Sequence, residues 1–177
     1  MNPLPRHAIF SLLAIAVLAC AFGLAKPVSG RAGGDAAPVW VTQKPAGFRD
    51  WTVISVAHEE GKLNSIGAAL GNDIAIKAYR ENKSTFPNGA MIAALHYKFV
   101  PSDANNKVFG QAQSFVAGAP TNTQFMIKDA KKYAATGGWG YGHFNADGTL
   151  GTEAAMRTCF PCHQQAAHDF VFTQYAP

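Results

Sequence analysis

One short motif close to the C-terminal end, Cys159-Phe160-Pro161-Cys162-His163, constrains this chain more than any other feature. C-x-x-C-H is the attachment pattern of c-type haem. Two thiols three positions apart reach the two vinyl groups of one porphyrin, and the imidazole that follows falls beneath the iron as its proximal ligand. A porphyrin presents a large flat apolar surface, so a fold carrying this motif must line that surface with apolar side chains. The rival readings are a zinc site and a redox C-x-x-C. Zinc asks for further thiol or imidazole ligands nearby, and His168 is the one candidate within ten residues. A thioredoxin-like pair belongs early in a βαβ unit, whereas this motif lies at the far end.

The N-terminus bears on the compartment. Met1 to His7 is short and carries Arg6, Ala8 to Leu24 is almost wholly apolar, and the small residues Gly23 and Ala25 precede Lys26. A charged start, an apolar centre and a small-residue exit describe a secretory signal over residues 1–25. Two alternatives stay open. The apolar run is near the lower limit for a membrane span, and Val17-Leu18-Ala19-Cys20 faintly resembles a lipoprotein box ending on Cys20. Each reading places the folded part outside the cytoplasm, in the periplasm of a bacterium, where covalent haem attachment takes place. The cysteine count agrees. The chain has three cysteines. With Cys20 in the leader and Cys159 and Cys162 on haem, none is left for a structural disulfide, so the fold is not stapled.

The 177 residues, less the leader, make one domain of ordinary size with enough chain for a core. Net charge is +4. Loss of Arg6 and addition of two ionised haem propionates bring the loaded protein close to neutrality. No basic cluster stands out, which argues against nucleic acid as a partner.

Residues 26–46 read as a linker, small, polar and marked by Pro and Gly, with Trp40 as an interruption that can dock on the domain. The haem domain is expected over residues 47–177. Residues 51–57 are β-branched and read as a strand, and 65–70 as a weaker one. Asp73 is the expected cap of a helix over 74–82. Pro87-Asn88-Gly89 is a turn leading into the longest strand candidate, 90–100. Alternation puts Ile92, Ala94, His96 and Lys98 on one face and Ala93, Leu95, Tyr97 and Phe99 on the other. Residues 109–117 and 123–128 read as two further strands, and 129–135 as a short helix opened by Asp129. Trp139 to Phe144 alternates Gly with large residues, a strand whose glycines admit a close neighbour. Residues 145–148 turn. Short helices over 153–158 and 163–168 flank the motif.

This pattern predicts an α+β fold, mainly antiparallel β-sheet with a few short helices and a C-terminal haem motif. It excludes two other haem folds. Small electron-transfer cytochromes c carry the motif near the start and a ligating Met downstream, whereas no Met follows His163. Ordinary cytochromes c′ are four-helix bundles with long 3.6-period runs, and this chain has none after the leader.

In order and spacing, four segments resemble cytochrome P-460 and the related cytochrome c′-beta. They are Pro87-Asn88-Gly89 before a long strand, Phe125-Met126-Ile127-Lys128-Asp129, Gly138-Trp139-Gly140-Tyr141, and the haem motif followed by Asp169-Phe170-Val171-Phe172-Thr173. The likeness runs from about residue 47 to the end. It implies a twisted antiparallel sheet with the haem against one face, and it leans towards a homodimer. The resemblance also implies two kinds of distal side. Cytochrome P-460 oxidises hydroxylamine and has a lysine cross-linked to the porphyrin edge. Cytochrome c′-beta has an apolar, phenylalanine-lined pocket for small gases such as nitric oxide. The cross-linking lysine stands five residues after the turn glycine, and here that position is Ala94. Lys98 shares the face but lies about 13 Å farther along the strand. An arginine expected on the preceding strand is replaced by Gly67.

His96, two residues beyond Ala94, is the candidate catalytic residue. It reads either as a distal acid/base or sixth ligand, or as a half-buried imidazole bonded to a neighbour. His143 reads as a surface residue near the following turn. Met91 and Met126 read as core, and Met156 lies too near the motif to cross to the other haem face. Phe109, Phe115, Phe125, Trp139, Tyr141 and Phe144 are core candidates. Lys128-Asp129 and Arg80-Glu81 read as solvated or capping charges, and Asp169 as the holder of a local turn.

The expected function is that of an exported mono-haem c-type cytochrome. Cys159 and Cys162 attach one covalent haem c, His163 ligates the iron, and an open distal site binds or redox-processes a small nitrogen-containing ligand of the nitric oxide or hydroxylamine type. A periplasmic electron-transfer partner goes with that reading. The alternative is a six-coordinate electron-transfer cytochrome without substrate chemistry.

Overall fold

A computed structural model describes residues 40–176 of the chain. The leader over residues 1–25, Cys20, residues 26–39 of the expected linker, and Pro177 lie outside the described residues. Among the described residues no helix is long and apolar enough to cross a membrane.

Five strands form one antiparallel sheet in simple meander order. They are β1 (Thr52–Glu59), β2 (Ser65–Gly71), β3 (Met91–Pro101), β4 (Phe115–Lys128) and β5 (Trp139–Asn145). The helices are short: α1 (Asp73–Arg80) between β2 and β3, α2 (Asp103–Phe109) between β3 and β4, then α3 (Glu153–Arg157) and α4 (Cys159–His163) after β5. The α+β expectation holds, with the sheet dominant.

Alternation along β3 sorts the interior into two layers. Ala93 and Leu95 face one side, with Phe125, Phe144, Tyr133, Leu70 and Val41. Ile92 faces the other, with Met126, Trp139, Tyr141 and residues of α1. Trp139 and Phe125 are the largest fully buried side chains. Trp40 packs on the Trp139 layer, and the Val41 amide donates to the Tyr141 carbonyl at 2.9 Å, so the chain is docked from the first described residue.

The glycines of β5 act as expected. A side chain at Gly140 would occupy the Tyr133 ring, and a Cβ at Gly142 would lie 2.6 Å from the Val41 carbonyl oxygen. The turn at 87–89 also forms, with the Ala90 amide donating to the Pro87 carbonyl and Gly89 at φ +88°, a conformation that suits glycine.

Several boundaries differ from expectation. Asn72, not Asp73, caps α1: its carboxamide oxygen accepts from the Ala75 and Met91 amides, each at 3.0 Å. Residues 102–110 form a helix that periodicity did not show, capped by Ser102 and ended by Gly110 at φ +70°. Phe109 therefore ends α2 and does not begin a strand, and the expected pair of strands over 109–128 is the single strand β4. Pro120 sits where the β3–β4 register shifts, the place a strand tolerates a residue without an amide donor. Phe109 and Phe115 are exposed, at 52% and 45%, and are not core. After Asp129 the chain turns and makes only a 3-10 turn at Ala134–Thr136, while the Asp129 carboxylate accepts from the Lys131 and Lys132 amides. At the C-terminal end the motif is itself helix α4, and no helix occupies 164–168.

Candidate functional site

The motif is presented by two consecutive helical turns. Thr152 caps α3, its hydroxyl accepting from the Ala155 amide at 3.2 Å. Thr158 ends α3 and leads directly into α4. Helical spacing puts Cys159, Cys162 and His163 on neighbouring positions of one face. Cys159 is half-buried and Cys162 exposed, and the two are not joined to each other as a disulfide. Burial pushes the Cys159 thiol up, with the negative charge of a Cys162 thiolate adding to the shift and a backbone hydrogen bond opposing it.

His163 is oriented by a single acceptor. Its Nδ1 lies 2.8 Å from the Phe170 carbonyl oxygen. That oxygen accepts only, so Nδ1 carries the proton and Nε2 keeps its lone pair. Burial pushes the imidazole below its usual value, against the hydrogen bond to Phe170, which favours the neutral form a metal ligand requires. The rings of Tyr141 and Phe172 flank it at 5.1 and 5.2 Å.

Cys159 and His163 open onto a cavity of about 480 Å³ whose other wall is the sheet. The size is that of sites that enclose a drug-sized ligand. Ala69 of β2, Ile92, Ala94 and His96 of β3, and Gln124 and Met126 of β4 line the sheet wall. The register explains the set, because Ala69 pairs with Ala94 and Ala94 with Gln124, while Ile92 pairs with Met126 and Met126 with Tyr141. The C-terminal segment closes the rim with Phe172, Thr173 and Gln174.

Of the residues singled out from sequence, Cys159, His163, Ala94 and His96 meet at this cavity, together with Met126, Phe125 and Tyr141. Lys98 is exposed on β3 and does not line it. Burial pushes the His96 imidazole down, the Glu59 carboxylate opposes that shift and His143 adds to it. Gly67 stands opposite His96 in the register, and a Cβ there would lie 3.2 Å from His96 Nδ1, so the imidazole fills the space beside this glycine. His143 is half-buried rather than a surface residue, its ring against Gly151. Met156 is buried.

Lys128 is a clear correction. It is not solvated: its side chain is 8% exposed and its ammonium lies 2.8 Å from Asp169. Asp169 does hold a turn, through this pair and the Phe86 amide. Sequence reasoning also missed Tyr141 as a cavity residue, along with the contributions of Ser55, Ala57 and Glu59 from β1. Alternation with Trp139 on β5 would have put Tyr141 on the same face as Met126. The β1 residues gave no local signal.

The donor set fits a haem. Tyr141 Oη is buried in the cavity wall without a hydrogen-bond partner among the described residues, and burial pushes its phenol up, so it stands as a ready donor to a polar group lodged there. No three His, Cys, Asp or Glu side chains converge among the described residues. His168, the further imidazole near the motif, is bonded to the Lys83 carbonyl at 2.7 Å.

Comparison with known proteins agrees with the fold. The chain matches the Cytochrome P460 family over residues 45–173, most of its length. No curated protein matches it. The chain belongs to the Cytochrome P460 family, and the family implies a haem-binding protein of the c type.

Proposed function

From that membership, we propose that the chain is an exported mono-haem c-type cytochrome whose haem is bonded to Cys159 and Cys162, with His163 as proximal ligand. Its distal side takes a small nitrogen-containing ligand of the nitric oxide or hydroxylamine type. The observation that carries this reading is the convergence of Cys159, His163 with its bare Nε2, and an apolar sheet wall on one cavity. The haem, when bound, supplies an iron with a position open to such a ligand.

The chain's residues then do three things. The Phe170 carbonyl holds the His163 proton on Nδ1 and aims the ring. Ala69, Ile92, Ala94 and Met126 give a wall that a neutral gas meets at little cost, while an unpaired anion there is penalised. His96, neutral because of burial, can donate one hydrogen bond to a ligand oxygen or nitrogen. The sequence departs from cross-linked hydroxylamine chemistry, since Ala94 has no amine and Lys98 points to solvent. The reading therefore favours ligand binding, or redox processing without a lysine bridge. Export to the periplasm rests on the leader at residues 1–25, and electrons reach the site through a periplasmic partner.

A visible spectrum tests the proposal. The ferrous protein is expected to be five-coordinate, high-spin and reactive with carbon monoxide. His96 and His163 line the same cavity, which gives the second reading its support: His96 as sixth ligand in an electron-transfer cytochrome. A low-spin ferrous spectrum indifferent to carbon monoxide would select that reading.

A further inference from the structure

The segment that supplies the acceptor for His163 has an unusual backbone. Asp169 and Phe170 are consecutive non-glycine residues at φ +46° and +65°. Such conformations persist only where the surroundings hold them. The hold is visible. Both Asp169 carboxylate oxygens accept from the Lys128 ammonium, at 2.8 and 3.0 Å, and one also accepts from the Phe86 amide at 2.7 Å. The Asp169 carbonyl accepts from Trp139 Nε1 at 2.8 Å. Lys128 donates further to the Gly137 carbonyl at 3.1 Å. The Phe170 ring lies directly over Gly137, where any side chain would collide with it.

We infer that the buried Lys128–Asp169 ion pair is the positioning device of the proximal ligand: it pins the turn whose Phe170 carbonyl accepts from His163 Nδ1. The pair joins the end of β4 to the turn after α4, across 41 positions of sequence. A rigid sheet thereby sets the acceptor, and the acceptor sets the basicity and direction of Nε2. A pair kept for stability alone would not need to sit here, because a buried ion pair does little better than apolar packing of the same volume. Lys128 and Asp169 are positioning residues and touch no reacting atom. The inference rests on the haem reading above.

The test compares holoprotein variants. Asp169→Asn keeps an acceptor for the Phe86 amide but removes the charge that Lys128 requires. Its midpoint potential and its ferrous iron–histidine stretch, read by resonance Raman, are measured against the unsubstituted chain. Loss of a metal ligand's hydrogen-bond partner typically costs tenfold or more. A tenfold weaker hold on ferric iron raises the potential by about 60 mV, at 59 mV per decade for one electron, and the stretch falls in frequency. The double variant Lys128→Met/Asp169→Asn carries no orphaned cation. It is expected to regain stability while keeping the shifted potential and stretch.

Unchanged values in Asp169→Asn, or a return to the original values in the double variant, would overturn the inference and leave the pair a stability element. Failure of both variants to give folded holoprotein would overturn it too, since the pair would then be a folding requirement. An unsubstituted chain with no attached haem and no iron–histidine stretch would refute the haem reading itself, a result distinct from these.

Discussion

His163 Nδ1 lies 2.8 Å from the carbonyl oxygen of Phe170, so this imidazole has a neutral acceptor and not a carboxylate. A carboxylate acceptor pushes a ligating imidazole towards imidazolate, and a carbonyl does so more weakly. The ferrous iron–histidine stretch is therefore expected between the values for an unbonded and for a carboxylate-bonded imidazole. A carboxylate-like frequency in the resonance Raman spectrum would place a different acceptor on Nδ1.

His96 is expected to tune the distal side. Replacing it by Leu leaves haem attachment intact. It shifts the affinity for nitric oxide, or any peroxidase-like or hydroxylamine turnover, by about tenfold or more, because one hydrogen bond to a charged partner is worth roughly 1.5–3 kcal/mol. Unchanged affinity, spectrum and turnover would mean that His96 faces away from the iron.

The same residue gives a pH dependence. Burial holds the folded-state His96 below the ordinary value of 6.5, so the unfolded chain takes up that proton first. Stability from this group is present above about pH 6.5 and is lost as pH falls from there through the lowered folded value. Denaturant melts between pH 7 and pH 5 should show a smaller loss in His96→Leu than in the unsubstituted protein. An equal loss in both would show that other groups carry the acid sensitivity.

No lysine–porphyrin bridge is expected. Ala94 lines the cavity and Lys98 does not. A pyridine haemochrome assay should give an ordinary c-type spectrum. A tryptic haem peptide that carries a second segment from residues 90–100 would refute this.

Gly142 is required by its neighbour rather than by its own backbone angle. A Cβ there would meet the Val41 carbonyl oxygen at 2.6 Å, and a backbone atom cannot swing aside. Gly142→Ala should cost about 1–3 kcal/mol, the usual range for overpacking, read from denaturant melts. A variant of unchanged midpoint would show that the Val41 segment is free to lift away from β5.

Much of this architecture could be read from the chain. Alternation in β3 sorts Ile92, Ala94 and His96 from Ala93 and Leu95, and the glycines of β5 signal close neighbours, which in the structure are Tyr133 and Val41. Local signals failed where a contact is long-range. Nothing near Lys128 marks it as buried, because its partner Asp169 is distant in sequence, and a lysine at a strand end ordinarily reads as solvated. Ser102 and Gly110 flag the ends of helix α2, but the segment between them has no buried face and so no apolar period to mark it as a helix. Similarly, Phe109 and Phe115 read as core by residue type, yet Phe109 ends the exposed helix α2 and Phe115 begins β4, and both are exposed. The motif was plain in sequence. The cavity beside it was not, since its walls come from all five strands and the C-terminal tail together.

The most direct test of the central claim is the intact mass of the chain exported to the periplasm of a host that carries out haem attachment. The account predicts the processed polypeptide plus one haem that survives denaturation, and loss of that added mass in a Cys159→Ala/Cys162→Ala variant. Free thiols on Cys159 and Cys162, with zinc or nothing bound, would contradict it.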